Sequence, residues 1–184
     1  MNAILSRTQV KPQHFIPQDT PVYPASVQRV SMLNVARARL SSFVMRMAND
    51  ITRSTGINYE ENDNAPETWL EAKAMFQSAL TLNKPVYVRR SDSDMTIYTS
   101  PAANWAFRFW HDYVHFKHDL SHSFIDEILV SNFQVEAVER EFGVGSLEAK
   151  LMAADTYGQV MYFRVHGTFI ADQLAFAQSY IQEH

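Results

Sequence analysis

Proline placement constrains this chain more than any other feature. Four of its seven prolines, Pro12, Pro17, Pro21 and Pro24, fall within the first 25 residues. Each fixes φ and lacks an N–H, so this density forbids regular helix and predicts an extended arm over 1–25. Such an arm can lie over its own domain or reach a neighbouring subunit, which makes a homo-oligomer held through the arm one expectation. The remaining three mark boundaries. Pro66 heads a helical pattern, Pro85 closes it, and Pro101 opens a stretch that reads as helix almost to the end.

Between these stops the apolar residues recur with helical period. Val30, Leu33, Leu40, Val44 and Met47 predict a helix from Ser26 to about Thr55, with Gly56 as its stop. Residues 57–65 are polar turn chemistry. A second helix follows Pro66 through PETWLEAKAMFQSALTLN, with acids in its first turn. VYVRR and MTIYTS, separated by SDSD, read as a small β-hairpin near 86–99. A lone hairpin is marginal, so it should pack on helices. Helices are then expected over about 102–120, 123–142, 146–166 and 168–182, punctuated by Gly143, Gly145 and Gly167. The fold class is mainly α: a bundle of about six helices in one domain, 26–184, with one hairpin and the arm. A chain of 184 residues can bury such a core without staples.

Composition excludes several functions. Sixteen basic and twenty acidic side chains give a net charge of −4 without a basic run, so no nucleic-acid partner is expected. Arg29, Arg37, Arg39, Arg46 and Arg53 share the first helix and read as a solvated face rather than a phosphate site. With no cysteine there is no disulfide and no thiolate, so any metal must take nitrogen and oxygen ligands. The opening MNAILSRTQVKPQHF lacks the apolar core of a secretion signal, and no run approaches about 18 apolar residues. No membrane span and a cytoplasmic location are therefore expected.

Chemistry concentrates in one segment. His111, His115, His118 and His122 lie within twelve residues at spacings of four, three and four, which on a helix form one stripe. Asp112 and Asp119 stand beside it and Glu127 follows. Imidazoles this close repel one another when protonated, and a metal ion or carboxylate partners relieve that cost. His111 and His115, at i and i+4, can converge on one ion, but a third ligand must come from elsewhere. Glu127, twelve residues beyond His115, would stand about 18 Å away on a straight helix at 1.5 Å per residue. A break near 119–123 removes that distance. Ser121 and Ser123 are candidate N-caps, with Asp126 three residues after Ser123 in the manner of a capping box. The next helix then carries Glu127 in its first turn.

His111-Asp112-x-x-His115, eleven residues and Glu127 together resemble the H-D-x-x-H-x11-E zinc motif of a coenzyme Q (ubiquinone) biosynthesis protein family. Ile128 directly after the glutamate, Phe133 six residues after it and Arg108 before the motif are similar to family members. The resemblance spans about residues 108–133. It implies His111, Asp112, His115 and Glu127 as metal ligands in a helical protein. Members of the family are proposed to remove a ring carboxyl group oxidatively from a precursor bearing an isoprenoid tail, and to organise a biosynthetic complex.

Zinc is the default ion for a histidine and carboxylate set, with iron or manganese as alternatives. If either is not a ligand, Asp112 or Glu127 is the candidate catalytic base. His118 and His122 are candidates for the surroundings of the site. So are Asp155, Gln159, Tyr162 and His166, which share one face of the 146–166 helix and could form a polar wall giving hydrogen bonds or a proton. Trp110 and Tyr113 could shape a small-molecule pocket. Three functions follow: a metal-dependent lyase or hydrolase; a non-enzymatic interaction or structural protein, of viral or mobile-element origin for example, in which a metal staples two helices; and a metal-free helical module whose histidines sense pH.

Overall fold

Residues 25–183 are described by a computed structural model. The chain runs α1 (Ala25–Thr55), β1 (Tyr59–Asn62), α2 (Trp69–Leu82), β2 (Val86–Arg89), α3 (Pro101–His118) and α4 (Phe124–Phe142). It ends with α5 (Leu147–Ala153), a π-helical turn (Ala154–Gly158), α6 (Gln159–His166) and α7 (Gln173–Glu183). The α5, π and α6 segments follow one another without a break, so the described residues form six helical rods, against an expected number of about six. Apart from Ala25, which opens α1, the expected proline-rich arm lies outside the described residues.

Local chemistry explains most boundaries. Thr68 and Glu71 form a reciprocal capping box at the start of α2, which begins three residues after Pro66. Ser100 caps α3, with Pro101 in its first turn. Ser123 caps α4 and Ser146 caps α5, each accepting the N–H three residues on. The core forms where α1 lies on α3. Leu40, Phe43, Val44, Ala48 and Ile51 meet Ala103, Ala106, Trp110 and Val114, with Phe43 edge-on to Trp110 at 5.7 Å. Phe76 of α2 stacks on Phe109 and Phe116, and Tyr59 of β1 stacks on Phe109. Burying one such phenylalanine is worth about 2–3 kcal/mol. One side of α3 is thus apolar, leaving Asn104, Arg108, His111 and His115 on a second stripe at spacings of four, three and four.

The expected 86–99 hairpin does not form. VYVR is a strand, but it pairs in parallel with β1, Tyr59 opposite Val86 through Asn62 opposite Arg89. α2 is therefore the crossover of a β–α–β unit. Residues 91–100 are irregular, and Thr96, Ile97 and Tyr98 are all buried rather than alternating between two faces. Their carbonyls are held by α1. The Arg37 guanidinium donates to the carbonyls of Ile97 (2.9 Å), Thr96 (3.3 Å) and Tyr98 (3.0 Å), and Thr99 N–H donates to Ser41 Oγ (2.9 Å). Carbonyls already held by a guanidinium have no need of a sheet ladder.

Candidate metal centre

The chain turns between α3 and α4 where the sequence predicts a break. Asp119 ends α3 in the left-handed conformation (φ 54°), and Leu120 N–H bonds back to the His115 carbonyl. Ser121 then donates its N–H and its hydroxyl to Asp126, while Asp126 N–H donates to Ser123 Oγ. Lys73 of α2 braces the outside of the turn, reaching Asp119 at 2.5 Å beside the Trp69 ring. The reversal sets Glu127, in the first turn of α4, against the last turns of α3.

Three ligand atoms converge there. His115 Nε2 is 3.1 Å from His111 Nε2, and Glu127 Oε2 is 3.4 Å from the first imidazole nitrogen of the pair to be met along the chain, His111, and 3.5 Å from His115. An ion with bonds of about 2.0–2.1 Å in tetrahedral geometry requires ligand separations of about 3.3 Å. The other ring nitrogens are occupied. His111 Nδ1–H donates to Gln134 Oε1 at 3.0 Å, and His115 Nδ1–H donates to the Leu120 carbonyl at 3.1 Å. In the neutral rings these bonds fix the tautomers, so both Nε2 lone pairs face each other and the carboxylate. Two lone pairs and an anion at this range need a positive charge between them. These side chains could hold a metal ion.

Burial sharpens that need. His115 is fully buried, while His111 and Glu127 are about one-fifth exposed. Burial alone lowers the His111 pKa, but the hydrogen bond and charge of Glu127, with the charge of Asp112, outweigh it and raise His111 to about 9. Glu127 is pushed up by burial and pulled further down by His111 and His115, so it stays ionised far below the usual carboxylate range. In the metal-free protein a proton supplies the missing positive charge.

No protein-family model, curated protein or solved structure matches this chain.

The other candidates separate around this cluster. Asp112 is half-buried and interacts by charge with His111, His115, His122 and Glu127; burial raises its pKa. His122 is no longer on the helical stripe, because α3 has ended, yet its ring lies 5.1 Å from that of His115 and 6.0 Å from Trp69, at the exposed rim. His118 is exposed and stacks on Phe133 at 4.4 Å. In the 146–166 rod, Asp155 and Gln159 are buried, Tyr162 is half-buried, and exposed His166 lies against Tyr162 at 4.2 Å. Asp155 accepts from Tyr98 Oη (2.9 Å) and Gln159 Nε2 (3.0 Å). Its pKa is raised by burial, and it feels the charge of His111.

Sequence reasoning missed Gln134, Tyr98 and Trp69. Gln134 had a signal: it stands seven residues after Glu127, two helical turns along the same buried face as Ser131. Tyr98 had none, because its segment read as a strand. Trp69 opens α2 and reaches the site only through the tertiary fold.

Proposed function

We propose that His111, His115 and Glu127 hold a metal ion, zinc by default, and that the protein is a metal-dependent lyase or hydrolase acting on a small molecule. The observation that carries this reading is the 3.1, 3.4 and 3.5 Å triangle of ligand atoms with both Nδ1 atoms engaged elsewhere. Three protein ligands leave a coordination position for substrate, the pattern of catalytic rather than structural zinc. The ion supplies a Lewis acid for a carbonyl or carboxylate oxygen. Gln134 and the Leu120 carbonyl orient the two imidazoles. Asp112 beside the cluster is the proton acceptor, and His122 at the rim faces incoming substrate. The H-D-x-x-H-x11-E resemblance agrees with this ligand set and adds Asp112 as a further ligand; the prenylated substrate of that family is not carried over.

A second reading has its own support. The ligands come from consecutive helices across a short turn, where an ion would staple α3 to α4. A fourth protein ligand, Asp112 or His122, distinguishes this reading from the enzyme.

Elemental analysis of the purified full chain tests both. One zinc, iron or manganese per chain is expected, falling at least a hundredfold in affinity in His115→Ala. Metal-free protein that takes up none of these ions on reconstitution, or undiminished metal in the variant, overturns the assignment.

A further inference from the structure

Two buried amides near the cluster are each half-used. Gln134 is fully buried, and Gln159 is 8% exposed. Gln134 accepts from His111 through Oε1, but its Nε2 has no partner among the described residues. Gln159 donates Nε2 to Asp155, but its Oε1 has no partner among the described residues. Buried polar atoms are almost always satisfied, so two orphans on residues that serve one network are informative.

The orphans are complementary. One is an N–H that needs an acceptor, and the other is a carbonyl oxygen that needs a donor. A cation would leave the N–H unanswered, and an anion would leave the carbonyl unanswered. A water molecule accepts from one, donates to the other and keeps capacity for further bonds. Tyr157 Oη hydrogen-bonds Asn132 and ties the π turn to α4. The two rods run antiparallel across the short 143–146 turn, so two residues on from Asn132 and two back from Tyr157 bring Gln134 level with Asp155, the residue to which the Gln159 amide reaches back. Gln134 extends the buried stripe of Val130, Ser131 and Val138, while Gln159 follows Asp155 by one turn. Asp155 stands in the π-helical turn, a local distortion that recurs at functional sites. It feels the charge of His111.

We propose that Gln134 and Gln159 share one buried water molecule, and that this water joins the metal ligand His111 to the Asp155–Tyr98 pair. The first half stands without a metal; the second rests on the metal reading of the cluster. Gln159 is then a positioning residue, acting on His111 through the water and Gln134.

A high-resolution crystal structure of the full chain tests the first half. A water within hydrogen-bond distance of both Gln134 Nε2 and Gln159 Oε1 is expected; a direct bond between the amides, or separate partners for each, overturns it. Gln159→Met keeps the volume and removes both the acceptor for the water and the donor to Asp155, and it tests the second half. Zinc affinity, measured by competition with a chromophoric chelator, should weaken about tenfold, the lower end for groups that orient ligands. The visible spectrum of the Co²⁺-loaded protein should shift as the His111 ring is released. Unchanged affinity and spectrum overturn the link while leaving the metal reading intact. If the wild-type chain binds no metal, that reading fails while the crystal structure still decides the water.

Discussion

The chain reverses in two irregular stretches, and they solve the same problem in opposite ways. At 119–123 the backbone groups and the serine hydroxyls find partners within a few residues, Ser121 and Ser123 with Asp126 and Leu120 with His115, and Lys73 of α2 adds only an outer brace at Asp119. At 91–100 a few local bonds form, Ser93 with the Arg90 and Ser91 carbonyls and Tyr98 N–H with Thr96, but most of the carbonyls find partners far along the chain. Arg37, about sixty residues away, holds three carbonyls, Ser41 accepts from Thr99, and Arg108 holds the carbonyls of Arg89, Ser91 and Asp92. The first reversal could be read in one dimension because its chemistry is local. The second could not, because the residues that satisfy it sit on helices whose packing decides where they point.

The largest effect should come from breaking the long-range reversal. In Arg37→Met the side chain keeps much of its bulk but leaves the carbonyls of Thr96, Ile97 and Tyr98 without a donor. A lost bond to a charged donor is worth about 1.5–3 kcal/mol, and three sharing one guanidinium do not add. A loss of about 3 kcal/mol is expected from urea unfolding. A loss under about 0.5 kcal/mol would show that the segment holds itself, as the hairpin reading had it.

The same contrast sets how much of the molecule was legible. Helices α1 to α4 and the 147–166 rod carry their periods and caps in consecutive residues, and their bounds fall within three residues of expectation. β2 was recognised as a strand, but its partner was not. Pairing is a tertiary choice, and Tyr59–Asn62 (YEEN) has no strand-like apolar pattern to announce it. At the site, the His111/His115 pair and the arrival of Glu127 followed from helical spacing and a local capping signature. The π turn at Ala154–Gly158 had no such signal in consecutive residues. At Gly158 an added Cβ would lie 2.6 Å from the Phe176 ring of α7, so the close approach that shapes this part of the rod depends on a helix folded over it.

A smaller effect probes the site that the local reversal builds. If His111 holds the ion as proposed, its proton stands in for that ion in chelator. Its folded pKa of about 9 lies above the ordinary 6.5, so the stabilisation it gives is fully present below pH 6.5 and is lost as pH rises through 9. The melting temperature of the metal-free protein should therefore fall across that window. Zinc competes with the same proton, so the stabilisation that zinc adds should grow with pH over the same range, and the two melting curves should diverge. Parallel curves with and without zinc would mean that the ion binds somewhere other than His111.

The smallest effect concerns the cap that starts α4. Ser123 Oγ accepts the Asp126 N–H at 3.3 Å, and Ser123→Ala removes that acceptor without touching a ligand. Losing an N-cap side chain costs about 1 kcal/mol. The neighbouring contacts survive, since Asp126 still accepts from Ser121 and Asp119 still meets Lys73. Stability should fall by that amount with zinc affinity changed less than about threefold, because the bend has several local supports and Glu127 N–H keeps its bond to the Ser123 carbonyl. A loss of zinc affinity in step with the loss of stability would show that the reversal hangs on this one hydroxyl. The local turn would then resemble the 91–100 segment, where one side chain holds the backbone in place.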